Sequence, residues 1–222
     1  MEKWKCWYER TCKRQKEICN NLANCENCTR YLQMRLQTEM ANMTNEFPTK
    51  LMCDQSQLDL QAFIEIKAID IQDFVVNGKS LVIESENTGN GKTSAAKNLL
   101  LRYMAKKVGK INTGYFLSLP IALSEIKESI KTKESLPYKQ IFSTVRLLVI
   151  DEVGYKKLSE YEETWLLRML EERKRKPGLA TIYTLNSTSE LKELIGRRLY
   201  SRIYNSSKKI VLREKDKRGW TK

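Results

Sequence analysis

The residues Glu86-Asn87-Thr88-Gly89-Asn90-Gly91-Lys92-Thr93, set behind the apolar run Ser80-Leu81-Val82-Ile83, constrain this chain more than any other stretch. A buried strand, a glycine-containing loop and Gly-Lys-Thr at the head of a helix together make a phosphate-binding loop. Its backbone N–H groups and the positive end of the helix form an anion site. The spacing assigns Asn87, Thr88, Gly89, Asn90, Gly91, Lys92, Thr93 and Ser94 to ATP binding. Lys92 is expected to reach the β- and γ-phosphates, and the Thr93 hydroxyl to bind Mg²⁺. The motif's first glycine falls at position 86, which here is Glu86. A side chain there is expected to distort the loop or bring a negative charge near the phosphates, which leaves a weak ATPase open.

Downstream, helical and strand-like segments alternate. A helix is expected over 92–108, a strand at Tyr115–Leu119, and a helix opened by Pro120 that runs to about Lys131. The apolar run Leu147–Ile150 reads as a buried strand, followed by a helix over 160–174 and a strand at Ala180–Leu185. Short helices at Glu190–Leu194 and Arg197–Ile203 precede a last strand at Lys209–Leu212. Strands separated by helices imply a parallel α/β sheet, here of five strands.

Asp151-Glu152 follows the strand Leu147–Ile150. Ligands of open α/β sheets bind at the carboxyl ends of strands. Asp151 is expected to hold Mg²⁺ and Glu152 to polarise the attacking water. One full strand, Tyr115–Leu119, lies between the P-loop and this pair in the chain. That separation, with glutamate beside the Mg²⁺ aspartate, resembles the additional-strand class of AAA+ and RecA-like ATPases. The resemblance implies a sensor 1 role for Asn186 at the end of the next strand, with the turn-forming habit of asparagine as the alternative.

Charge and cysteines bound the partners. The chain has 222 residues, enough for one full core and a small appendage, and 40 Lys+Arg against 27 Asp+Glu give a formal charge of +13. Such a field favours polyanions, nucleic acid first. No apolar run approaches the ~18 residues that span a bilayer. The N-terminus has no apolar signal region, so a cytoplasmic protein with no membrane partner is expected. Five of the six cysteines, Cys6, Cys12, Cys19, Cys25 and Cys28, lie in the first 28 positions, and there is no histidine. In a reducing compartment such a cluster points to an all-cysteine zinc site. Cys25-x-x-Cys28 is one knuckle and Cys6 with Cys12 the second pair, with Cys19 as the alternative ligand. A helix over Tyr31–Met43 carries Leu32, Leu36 and Met40 four apart, and Asn45–Thr49 breaks it. The domain reading is therefore 1–45 as a cysteine-rich zinc module with its helix, 46–55 as linker and 56–222 as the ATPase domain with a basic tail.

Gly196-Arg197-Arg198-Leu199-Tyr200-Ser201-Arg202 places Arg198 and Arg202 on one helix face. Such a pair is either a solvated basic surface or a device projected into a neighbouring subunit's ATP site. From Arg197 to Lys222 cations greatly outnumber acids, with Tyr200, Tyr204 and Trp220 interleaved. That composition suits single-stranded DNA, whose bases stack on aromatic rings in basic grooves.

The run from about residue 80 to 212 resembles the AAA+ module of DnaC/DnaI-type helicase loaders, with IstB-type transposition ATPases as relatives. The pieces that carry the likeness are Thr88–Thr93, Leu148–Glu152, Tyr183–Asn186 and Gly196–Arg202. The N-terminal Cys6-Trp7-Tyr8 and Cys25-x-x-Cys28-Thr-Arg-Tyr31 further resemble DnaC-like ATPases of phages of Gram-positive bacteria. The resemblance implies an arginine finger at Arg202 with Arg198 as its companion. The chain departs from the family in having no clear counterpart of its sensor 2 arginine, for which Arg213 and Arg218 are both candidates, and no full helical lid is expected from the ten residues after Leu212. The resemblance also implies an ATP-dependent loader of a replicative DnaB-type helicase onto single-stranded DNA, self-associating in a ring or spiral. The alternatives are an IstB-like transposition ATPase on duplex DNA and a hydrolysis-impaired zinc adaptor.

Overall fold

The computed structural model describes residues 29–43, 60–186 and 189–213. All the expected zinc ligands (Cys6, Cys12, Cys19, Cys25 and Cys28), the 46–55 linker, Trp220 and Arg218 lie outside these residues.

Five strands, β1 (Ser80–Ser85), β2 (Gly114–Ser118), β3 (Leu147–Val153), β4 (Ala180–Asn186) and β5 (Lys208–Val211), form one sheet in the order β2-β3-β4-β1-β5. Every pairing is parallel. Parallel sheets are covered on both faces, so their strands read as continuous apolar runs. Leu81, Val82 and Ile83 are accordingly all sealed from solvent. Alternate residues feed opposite layers: Leu81, Ile83, Val149 and Ile182 enter one core, and Val82, Leu148, Ile150 and Tyr183 the other. Each such side chain contributes roughly 1.5–3 kcal/mol by leaving water.

The first layer holds α1 (Thr29–Met40), α2 (Leu60–Lys67), α3 (Ile71–Val76) and α4 (Lys92–Ala105). The second holds α5 (Leu119–Thr132), α6 (Tyr138–Thr144), α7 (Glu160–Lys174), α8 (Leu191–Ile195), α9 (Arg197–Tyr200) and a π-helical turn, Ser201–Asn205. Helix α6 was not assigned from the sequence; Pro137 sits at its N-cap, where no N–H is needed. Ser159-x-x-Glu162 forms a capping box that starts α7.

Strand β4, which ends in Asn186, lies between the P-loop strand and the Asp151 strand, as the expected placement of Asn186 beside Asp151 requires, and β2 lies at the sheet edge. One relationship differs from the sequence reading. The helix carrying Leu32, Leu36 and Met40 turns those three residues outward, at 45%, 58% and 58% exposure. Its buried face is Met34, Gln37, Thr38 and Ala41. Gln37 Nε2 donates to the Lys107 and Lys110 carbonyls and to Thr113. The Phe116 N–H donates to the Ala41 carbonyl at 2.9 Å, so residues 41–42 cover the open edge of β2.

Candidate active site

Strand β1 delivers the chain to Ser85, whose Oγ accepts from the Asn87 N–H at 3.0 Å and from the Asn90 side-chain amide. Asn90 is 2% exposed and also donates to the Leu212 carbonyl at 3.4 Å, which fastens the loop to the segment after β5. Its side chain thus supports the loop from beneath. Gly89 and Gly91 have φ of 69° and 94°, left-handed conformations that suit residues without a Cβ. Glu86 is exposed and is not among the positive-φ residues. Its backbone therefore does not require the missing glycine.

Helix α4 starts at Lys92, directly after the left-handed Gly91. The Lys92 ammonium donates to the Asn87 carbonyl at 2.7 Å and to Asn90 Oδ1 at 3.3 Å, so it arches across the loop. Thr93 and Ser94 follow in the first turn, both half-buried, while Asn87 and Thr88 are exposed on the rim. The fourteen residues of α4 give its N-terminus a full helix dipole, directed at the loop.

The two central strands bring the acidic group to the same place. Asp151 is 5% exposed. It accepts from Thr93 Oγ1, 3.0 and 3.2 Å from its two oxygens, and from the Thr184 hydroxyl. Thr184 Oγ1 in turn accepts the Glu152 N–H at 3.0 Å. Proton donation thus runs from the Glu152 backbone through Thr184 to the Asp151 carboxylate.

Glu152 owes its orientation to a bulge. Ile150 pairs with Tyr183 and Val153 with Leu185, so three steps along β3 meet two along β4. Glu152 takes φ of 62° and is exposed, in contrast with its buried neighbours Asp151 and Val153. Bulges next to active sites re-aim side chains in this way. A hydroxyl and a carboxylate in contact, beside a phosphate-binding loop, form the hard oxygen donor set that suits Mg²⁺.

Asn186 ends β4 opposite Ser85, half-exposed at the carboxyl edge beside the P-loop. Arg198 is exposed on α9, and Arg202 lies in the π-helical turn, paired with Glu171 of α7 at 3.2 Å. Arg202 lines a hollow at the amino ends of the strands, so it does not enter this chain's own P-loop site. Arg213 is exposed just past β5. Among the described residues no group of three or more His, Cys, Asp or Glu side chains is placed to hold a metal ion, and no helix is long and apolar enough to cross a membrane.

No protein-family model and no curated protein sequence matches the chain. Solved structures do. The DnaC helicase loader superimposes with a TM-score of 0.54 at 20% identity, over 69% of this chain and 86% of that one. DnaI gives 0.56 at 18% identity, over 73% of this chain and 92% of that one. The chain has a DnaC-like AAA+ fold. AMPPCP-bound DnaA from Aquifex aeolicus shares it with a TM-score of 0.56 at 16% identity, over 68% of this chain and 45% of that one.

Thr184 is the site residue that sequence reasoning missed. It stands two positions before Asn186, and that spacing puts both on one face of β4. A hydroxyl two residues upstream of a strand-ending polar group was the available signal.

Proposed function

We propose that this protein is an ATPase that loads a hexameric replicative helicase onto single-stranded DNA. The Thr93–Asp151–Thr184 cluster beside the Lys92 loop carries the ATPase part of this reading. The helicase and DNA parts rest on the likeness to DnaC and DnaI and on the chain's +13 charge.

In this reading the backbone N–H groups of residues 87–94 and the Lys92 ammonium bind the phosphates of ATP. Thr93 and Asp151 hold Mg²⁺, which supplies charge neutralisation at the phosphates. Glu152, projected by the bulge, orients water and accepts its proton. Asn186 positions that water. Arg202, with Arg198, serves the site of a neighbouring copy in a ring or spiral. Residues 1–45, stapled by zinc on Cys6, Cys12, Cys25 and Cys28 with Cys19 as the alternative, grip the DnaB-type helicase in the cytoplasm.

The test is reconstituted loading. Purified replicative helicase is mixed with circular single-stranded DNA, ATP and this protein, and DNA-bound helicase is counted after gel filtration. Loading that depends on both ATP and the protein, with phosphate release abolished by Glu152→Gln, is the expected result. Phosphate release without any loading retires the loader role; absence of phosphate release with helicase and DNA present retires the ATPase.

A further inference from the structure

At the amino ends of β1, β4 and β5, on the edge opposite the P-loop, lies a hollow of about 360 Å³. Phe74, Leu170, Leu179 and Tyr183 form its apolar floor, and Lys79, Lys174, Lys176, Arg202 and Lys208 surround it. That volume is in the range that takes a small ligand.

The charge of its wall is one-sided. Lys79 is neutralised by Asp73 at 2.6 Å, and Arg202 by Glu171, the single carboxylate of the lining, at 3.2 Å. Lys176 donates to a neutral group, the Ser143 carbonyl, at 3.0 Å. Among the described residues no carboxylate pairs with Lys174, Lys176 or Lys208.

Behind them Arg173 is 2% exposed and bonds only neutral acceptors: Thr181 Oγ1 and the carbonyls of Phe142, Val145, Arg146 and Ala180. Burial lowers its pKa to about 10, which still leaves it cationic at neutral pH. Four positive charges therefore converge on a partly desolvated concavity without counter-charges, an arrangement that concentrates field on an incoming anion.

We infer that this hollow is a site for a nucleotide phosphate, carried either by single-stranded DNA passing the amino edge of the sheet or by a free nucleotide. Arg173 and Lys174 come from the last turn of α7 and Lys176 from the turn that follows it, well outside the basic C-terminal segment that the sequence marks for DNA. Each ammonium acts as a point charge with rotatable donors, which suits phosphate oxygens approaching from several directions. The DNA form of the inference rests on the proposed loader reading; the anion site does not.

The test uses the full chain with Lys174→Gln and Lys208→Gln, both exposed and outside the ATP machinery. Fluorescein-labelled oligothymidylate is titrated between about 50 and 200 mM salt, where each phosphate contact on a single strand adds about 0.7 to the log–log slope. Inorganic pyrophosphate is titrated calorimetrically into chains that also carry Lys92→Ala, so that the P-loop does not mask the second site.

The expected result is at least tenfold weaker oligothymidylate binding and a slope shallower by about 1.4, as two lost contacts require. Loss of pyrophosphate binding alone identifies a free nucleotide as the source and also supports the site. Unchanged affinity for both probes overturns it, including the case in which DNA binding responds only to Gln at Lys215, Lys217 and Arg218. Failed helicase loading with both probes behaving as expected removes the loader reading and leaves the site standing.

Discussion

Thr93 and Asp151, 58 positions apart in the chain, are in hydrogen-bond contact through the Thr93 hydroxyl, at 3.0 and 3.2 Å from the two carboxylate oxygens. The first turn of α4 and the end of β3 are thereby joined before any ligand arrives. A preorganised pair of this kind spares the binding of Mg²⁺ the cost of ordering its ligands. Thr93→Ala removes the hydroxyl and is expected to weaken Mg²⁺-dependent ATP binding by tenfold or more, while Thr93→Ser stays within a few-fold. Titration of a fluorescent ATP analogue with and without Mg²⁺ measures this. Equal Mg²⁺ dependence in Thr93→Ala and the parent chain would take the metal away from Thr93.

Thr184 links the backbone of Glu152 to the carboxylate of Asp151. Thr184→Val keeps the shape, deletes both bonds and leaves the Glu152 N–H without its acceptor. An unsatisfied donor of this sort costs about 1–3 kcal/mol, and here it loosens the residue expected to orient water. The expected outcome is a fall in kcat of roughly ten- to a hundredfold with little change in ATP affinity, reversed in Thr184→Ser. A loss confined to ATP affinity would show that Thr184 serves binding alone.

The conformation of Glu152 carries a stability cost that a pair of substitutions isolates. At φ of 62° a residue with a Cβ sits in the left-handed region, at an expense of about 1–2 kcal/mol. Glu152→Gly and Glu152→Ala both remove the carboxylate and should both end hydrolysis. Only glycine relieves the backbone, less the extra entropy it gives the unfolded chain. Glu152→Gly should therefore be more stable than Glu152→Ala by on the order of 1 kcal/mol in urea unfolding. Equal midpoints would mean that the bulge imposes no strain at this position.

Much of this site was legible because it is written in short motifs. Lys92, Thr93 and Asp151 each follow an apolar strand at a fixed offset, and the strands formed where the apolar runs predicted them. Thr184 was hidden because its role lies in side-chain bonds across the β3–β4 pairing, to the Asp151 carboxylate and from the Glu152 N–H, which no short motif marks. The outward stripe of Leu32, Leu36 and Met40 was misleading for a related reason. Fourfold spacing marks a helix, but the face that packs is decided by α4 and β2, where Gln37 and Thr38 fit as well as an aliphatic pair. Arg173 reads in sequence as one more cation near a helix end, and only the fold shows four carbonyls converging on it.

Glu162 gives the fold a dependence on acid. Its carboxylate is 1% exposed, bonded to Lys156 at 2.8 Å, to Lys127 at 3.2 Å and to the Ser159 N–H at 2.8 Å. Burial alone would raise its pKa; the lysines and the cap outweigh burial and hold it at about 2, below its ordinary 4.5. A depressed folded-state pKa stabilises the protein above the unfolded value, and that contribution is lost as pH falls from about 4.5 toward 2. Both lysines reach solvent, so the contribution is discounted to about 1–2 kcal/mol. Glu162→Gln should lower the urea midpoint at pH 7 and flatten its decline across this window. A midpoint that falls as steeply with acid in Glu162→Gln as in the parent chain would assign the acid sensitivity to other carboxylates.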